Sequence, residues 1–121
     1  MLRPLTRDDV TITVEALPED SPPEGNFASG DDEFDRKICA EIREKAEWNS
    51  WAWCCIKVTV SWRGHSASDY LGACSYDSKE DFVSEGYYYD DMVDCALEEL
   101  NGEVRRAYAD LKELEVSPSG T

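Results

Sequence analysis

From Ala52 to Trp62 the chain sets Ala52, Cys54, Ile56, Val58, Val60 and Trp62 at every second position, an apolar row without a break. Side chains alternate across a strand, so this row lines one face of a β-strand and demands an apolar cover for that face. The other face begins with Trp51, Trp53 and Cys55 and continues with Lys57, Thr59 and Ser61, so one end of the sheet is expected to be covered on both sides. Arg63-Gly64-His65 supplies a tight turn, and residues 66–76 return as the second arm of a hairpin. A two-residue loop puts Leu71 and Ala73 on the core face, whereas a three-residue loop puts Tyr70, Cys74 and Tyr76 there. The three-residue loop is the expectation, because it keeps Asp69 out of the core and sets Cys74 opposite Cys54.

The remaining elements follow from the same two periods. Val10, Ile12, Val14 and Ala16 alternate with Thr11, Thr13 and Glu15, which predicts another strand, closed by Pro18. Residues 18–30 carry three prolines and two glycines among acidic and small polar residues, so they read as an irregular loop suited to contacting a partner. Ser29 or Asp31 can cap a helix over 31–47, with Asp31, Asp32 and Glu33 at the positive end of its dipole and a stripe of Phe34, Ile38, Ile42 and Ala46. In this helix Asp32/Arg36, Glu33/Lys37 and Glu41/Lys45 place acid four residues before base. Ser78 with Asp81 can cap a short helical turn that Gly86 interrupts. Val93, Leu97, Leu100, Val104, Ala107, Leu111 and Leu114 then alternate steps of four and three, predicting a long helix from about Tyr88 to Glu113, with residues 116–121 as a loose tail. The expectation is one α+β domain over 1–121 in the order β-α-β-β-α: a three-stranded antiparallel sheet with two helices packed on one face.

Charge narrows the function. Twenty-seven acidic residues against 12 basic leave a formal charge of -15. That much like charge strains a compact domain and opposes direct binding of nucleic acid, but it suits a basic groove on another protein. No run approaches the roughly 18–20 apolar residues of a membrane span, and Met1–Asp9 has no apolar signal segment, so a cytoplasmic protein is expected. The five cysteines are odd in number and fall in core-like segments, which fits reduced thiols.

Three patterns invite chemistry. Asp90-Asp91-Met92-Val93-Asp94 has carboxylates at a spacing that can hold Mg²⁺ against a diphosphate, yet no second metal motif accompanies it and the chain is too small to enclose a prenyl substrate. His65 has Ser66 and Asp69 nearby but no nucleophile elbow or oxyanion loop. Cys54-Cys55 is adjacent rather than spaced for redox or zinc chemistry. No catalytic residue, metal site or cofactor is expected. The acids instead suit charge mimicry: Asp91, Asp94 and Glu98 recur along one side of the last helix about 5 to 6 Å apart, and Glu80, Asp81, Glu85, Asp90, Glu99 and Glu103 widen the patch. Trp51 and Trp53, with the tyrosines 87–89, have the composition of an interface hot spot beside it.

In size, acidity and absence of catalytic motifs the chain resembles the small anti-restriction and anti-CRISPR proteins of phages and plasmids that act as DNA mimics. The resemblance implies a non-enzymatic cytoplasmic inhibitor that occupies the DNA path of a nuclease or its targeting complex. The candidate partner-binding residues are Glu80, Asp81, Glu85, Asp90, Asp91, Asp94, Glu98, Glu99, Trp51 and Trp53, and the partner is a basic nucleic-acid-binding protein. The alternatives are an assembly module that homodimerises through exposed aromatics and a small Mg²⁺-dependent enzyme.

Overall fold

The alternating row becomes the centre of the molecule. In a computed structural model that describes residues 2–27 and 29–116, β2 (Cys54–Trp62) is the middle strand of three. It pairs antiparallel with β1 (Thr11–Leu17) and with β3 (His65–Cys74). Cys54, Ile56, Val58 and Val60 are fully buried, and Trp62 at the strand end is half-buried. Three helices complete the α+β fold: α1 (Asp32–Ala46), α2 (Lys79–Glu85) and α3 (Tyr87–Lys112). Of the expected tail, residues 117–121 lie outside the described residues.

The hairpin corrects the expected register. Trp62 pairs with His65, so the loop is two residues, Arg63 and Gly64, not three. Both have positive φ, 46° and 83°, the backbone that matches the right-handed twist of the arms. Ala67, Asp69 and Leu71 therefore sit opposite Val60, Val58 and Ile56 on the core face. Asp69 is tolerated there because β3 is an edge strand and its carboxylate stays partly exposed. Cys74 still pairs with Cys54, because a bulge at Gly72 and Ala73 adds one residue and reverses the alternation. Ala73 takes the strain, with φ of 54°.

α3 covers the apolar face. Met92, Val93, Ala96 and Leu100 are buried against β2 and β3, and Phe82 of α2 enters the same cluster with its ring edge-on to Tyr76 and Tyr89. Burying side chains of this size contributes about 1.5–3 kcal/mol each. The expected placement of the first helix on that face is also corrected. α1 packs on the 3-10 turn Ser50–Ala52 and buries Cys39 and Ile42, while Phe34 and Ala46, the ends of its expected stripe, are exposed. Its cap is Asp31, whose carboxylate accepts from the Glu33 and Phe34 N–H groups.

The loop 18–30 is held from both sides. The Trp53 indole donates to the Ser21 carbonyl at 2.7 Å and its ring meets Phe27, while Arg43 of α1 pairs with Glu24. Glu19 crosses the end of the sheet to accept from the Ala73 N–H at 2.8 Å. A Cβ at Gly72 would lie 3.0 Å from that carboxylate, so the bulge and the loop meet where glycine leaves room.

Candidate acidic interface

Gly86 lets α2 end and α3 begin without a gap: its φ of 84° turns the chain, and its carbonyl accepts from the Asp90 N–H. Acids thereby gather on two successive helices. In α2, Ser78 caps the Asp81 N–H and the Asp81 carboxylate accepts from the Asp77 N–H at 3.0 Å, so Asp81 is used in ordering the helix start. Glu80 and Glu85 are exposed.

On α3, 3.6 residues per turn sort the acids into two neighbouring rows, each stepping about 6 Å along the axis. One row is Asp90, Asp94 and Glu98; the other is Asp91, Cys95 and Glu99. All six side chains are exposed. The rows differ in charge balance. Arg7, from the 3-10 turn Arg7–Asp9, donates to Asp90 at 2.9 Å and to Asp94 at 2.8 Å, and also to the Asp90 carbonyl. The Asp94 and Asp90 carboxylates hold its guanidinium pKa above the usual value. Among the described residues, no base pairs with the second row. Desolvation raises the pKa of the Cys95 thiol, and the carboxylates of Asp91, Asp69, Glu98 and Asp94 raise it further. The core-face register of Asp69 brings this edge-strand acid alongside α3. The acids without an ion-pair partner among the described residues are therefore Asp91, Glu98 and Glu99 with Asp69, and Asp90 and Asp94 form a border half-compensated by the single charge of Arg7.

The two tryptophans occupy a different place. Trp51 is half-buried against Phe82, with its N–H donated to the Asn49 side chain and its carbonyl accepting from the Tyr76 N–H. Trp53, also half-buried, anchors the 18–30 loop. Among the described residues the exposed aromatics are Phe34, Trp48, Tyr70, Tyr87, Tyr88 and Tyr108, and Tyr87 and Tyr88 stand edge-to-face at the start of α3, next to Asp90 and Asp91.

The other patterns are separated by the fold. The pleat puts Ser66 on the sheet face opposite His65 and Asp69, so the three do not converge. His65 instead stacks on Trp62, with its Nδ1 4.0 Å from Glu103 Oε2. Asp90 and Asp94 are bound to Arg7, and among the described residues no three His, Cys, Asp or Glu side chains form a group that could hold a metal. Also among the described residues, no helix is long and apolar enough to cross a membrane. Burial pushes the Cys54 and Cys74 thiols up to about 12 and about 11, so both stay protonated at neutral pH.

Sequence reasoning missed Arg7 and Asp69. Arg7 lies 83 residues from Asp90 and carries no local signal of its role, while Asp69 depends on the two-residue loop. No family model, curated protein or solved structure matches this chain.

Proposed function

We propose that the protein is a non-enzymatic inhibitor that binds a basic nucleic-acid-processing defence complex and occupies its DNA path by charge mimicry. The observation that carries this reading is the unpaired group Asp91, Glu98, Glu99 and Asp69, carried on α3 and β3, which both pack against the central strand. Charge held on a rigid helix loses little entropy on docking, and Asp91 and Glu98, about 10 Å apart along the axis, offer it to lysines and arginines that otherwise meet backbone phosphates. Tyr87 and Tyr88 supply rigid aromatic contact beside it. The reading places the protein in the cytoplasm, with Trp51 supporting α2 through Phe82 and Trp53 ordering the 18–30 loop.

The test is a charge reversal that spares the Arg7 fork. Asp91→Lys with Glu98→Lys and Glu99→Lys should abolish protection of DNA from the restriction or CRISPR complex the protein inhibits, with the thermal midpoint kept within a few degrees. Full inhibition by this folded variant would show that the α3 face is not the contact. A homodimer through the exposed aromatics would appear as a dimer in sedimentation equilibrium, and the charge of -15 works against it.

A further inference from the structure

α1 does not close down on the body of the protein. Between it and residues 75–77 lies a cleft of about 250 Å³, with an apolar lining of Phe27, Ile38, Ile42, Ala52 and Tyr76 and a polar rim of Glu41, Lys45, Ser75 and Asp77. We propose that this cleft receives one large apolar side chain carried on a basic segment of the partner protein. The proposal rests on the reading of a basic partner and names the part of it that α1 engages.

Size sets the class of occupant. The cleft falls below the roughly 300–1,000 Å³ of sites that enclose a drug-sized molecule, and is suited to a single buried anchor of the kind that dominates protein interfaces. The floor is already ordered: the Tyr76 N–H donates to the Trp51 carbonyl at 2.8 Å, and the Asn49 side-chain amide donates to the Asp77 carbonyl at 2.9 Å. An anchor therefore enters a formed pocket and does not have to order this part of it.

Charge sets the flanking residues. Asp77 is hydrogen-bonded through its N–H to Asp81, which leads along α2 to Glu80. Burial, with the Glu85 carboxylate nearby, pushes the Tyr76 phenol up to about 12, so the tyrosine that lines the cleft stays neutral beside that acid. The acids at or beside the opening are Glu41, Asp77, Asp81 and Glu85, against Lys45 as the one base of its lining, so a chain that fills it meets a net negative rim. Lysines or arginines on either side of the anchor satisfy both demands.

The experiment is a titration of the full chain with three capped pentapeptides: Arg-Lys-Trp-Lys-Arg, its Trp→Ser version of equal charge, and Glu-Glu-Trp-Glu-Glu. Calorimetry gives the affinity and amide chemical shifts give the site. The expected result is that the first peptide binds at least tenfold tighter than either other and moves the Ala52 and Tyr76 amides. Ser75→Trp, at an exposed position on the rim, should fill the cleft and remove that advantage; if that variant does not fold, Ile38→Glu serves the same end. The Asp91/Glu98/Glu99→Lys variant should keep the Trp preference even where its inhibition is lost, which separates failure of the cleft from failure of the acidic face. Equal binding of the Trp and Ser peptides, or a Trp preference unchanged in the filled variant, overturns the proposal.

Discussion

Asn101, in the middle of α3, grips the backbone of Leu5: its side-chain oxygen accepts from the Leu5 N–H at 2.7 Å, and its amide donates to the Leu5 carbonyl at 3.1 Å. One side chain thus satisfies both polar groups of a residue whose own side chain is in the core. Two residues further on is Arg7, so the clamp also sets the position from which Arg7 reaches Asp90 and Asp94. Asn101→Ala should cost about 1–3 kcal/mol in urea unfolding, because it leaves part-buried backbone groups unpaired. The Leu5 amide should lose hydrogen-exchange protection. Unchanged stability and protection would mean that Leu5 is held by burial alone.

Arg7 acts as a brake on the acidic surface. Arg7→Gln frees Asp90 and Asp94 to act with Asp91 and Glu98. The partner, or a cationic probe such as a short oligolysine, should associate faster, and more so at low salt, where the Debye length exceeds about 10 Å. Stability should fall by no more than about 1 kcal/mol, since these ion pairs are exposed. Stopped-flow association rates at two salt concentrations check this, and a slower rate would refute it.

Alkaline pH should loosen the sheet end where Cys54 faces Cys74. Their folded pKa values, about 12 and about 11, lie above the ordinary 9.0 because burial penalises the thiolates. A raised acid favours the folded state while it stays protonated, so this stability is fully present below pH 9 and is lost as pH rises toward 11–12. Tyr76, raised from 10.0 to about 12, adds the same trend. The urea midpoint should fall from pH 8 to pH 10.5, and Cys54→Ala with Cys74→Ala should flatten that slope while costing packing.

Cys95 reports the field of the carboxylates around it. It is the exposed cysteine, whereas Cys39, Cys54 and Cys74 are buried. Carbamidomethylation of the native protein at pH 8 should label Cys95 ahead of those three. Asp91→Asn with Glu98→Gln should quicken that labelling several-fold by removing carboxylates that disfavour the thiolate. An unchanged rate in the variant would mean that those charges are not felt at the helix surface.

Legibility followed the range of the forces. The period-two rows of β1 and β2 and the heptad-like stripe of α3 are local, and their buried faces were readable as far as Leu100. Beyond it the sheet ends, so Leu111 and Leu114 continue the stripe into solvent. The hairpin register was misread because both alternatives kept a plausible inner face; the bulge at Gly72 and Ala73 satisfies parts of each, with Leu71 and Cys74 both turned inward. The helix α1 has a regular stripe, but only its middle meets the body of the fold. The exposed acids of α3 were legible from their spacing. That Asp90 and Asp94 are paired while Asp91, Glu98 and Glu99 are not was illegible, because Arg7 arrives from the other end of the chain.

In the proposed mode of action, Asp91, Glu98, Glu99 and Asp69 compete with DNA for a cationic groove. The direct measurement is the dissociation constant for the inhibited restriction or CRISPR complex at 50 and 200 mM salt, with and without that complex's DNA. Binding should exclude DNA and weaken by at least tenfold across this salt range. Binding that tolerates bound DNA, or is indifferent to salt, would contradict that mode of action.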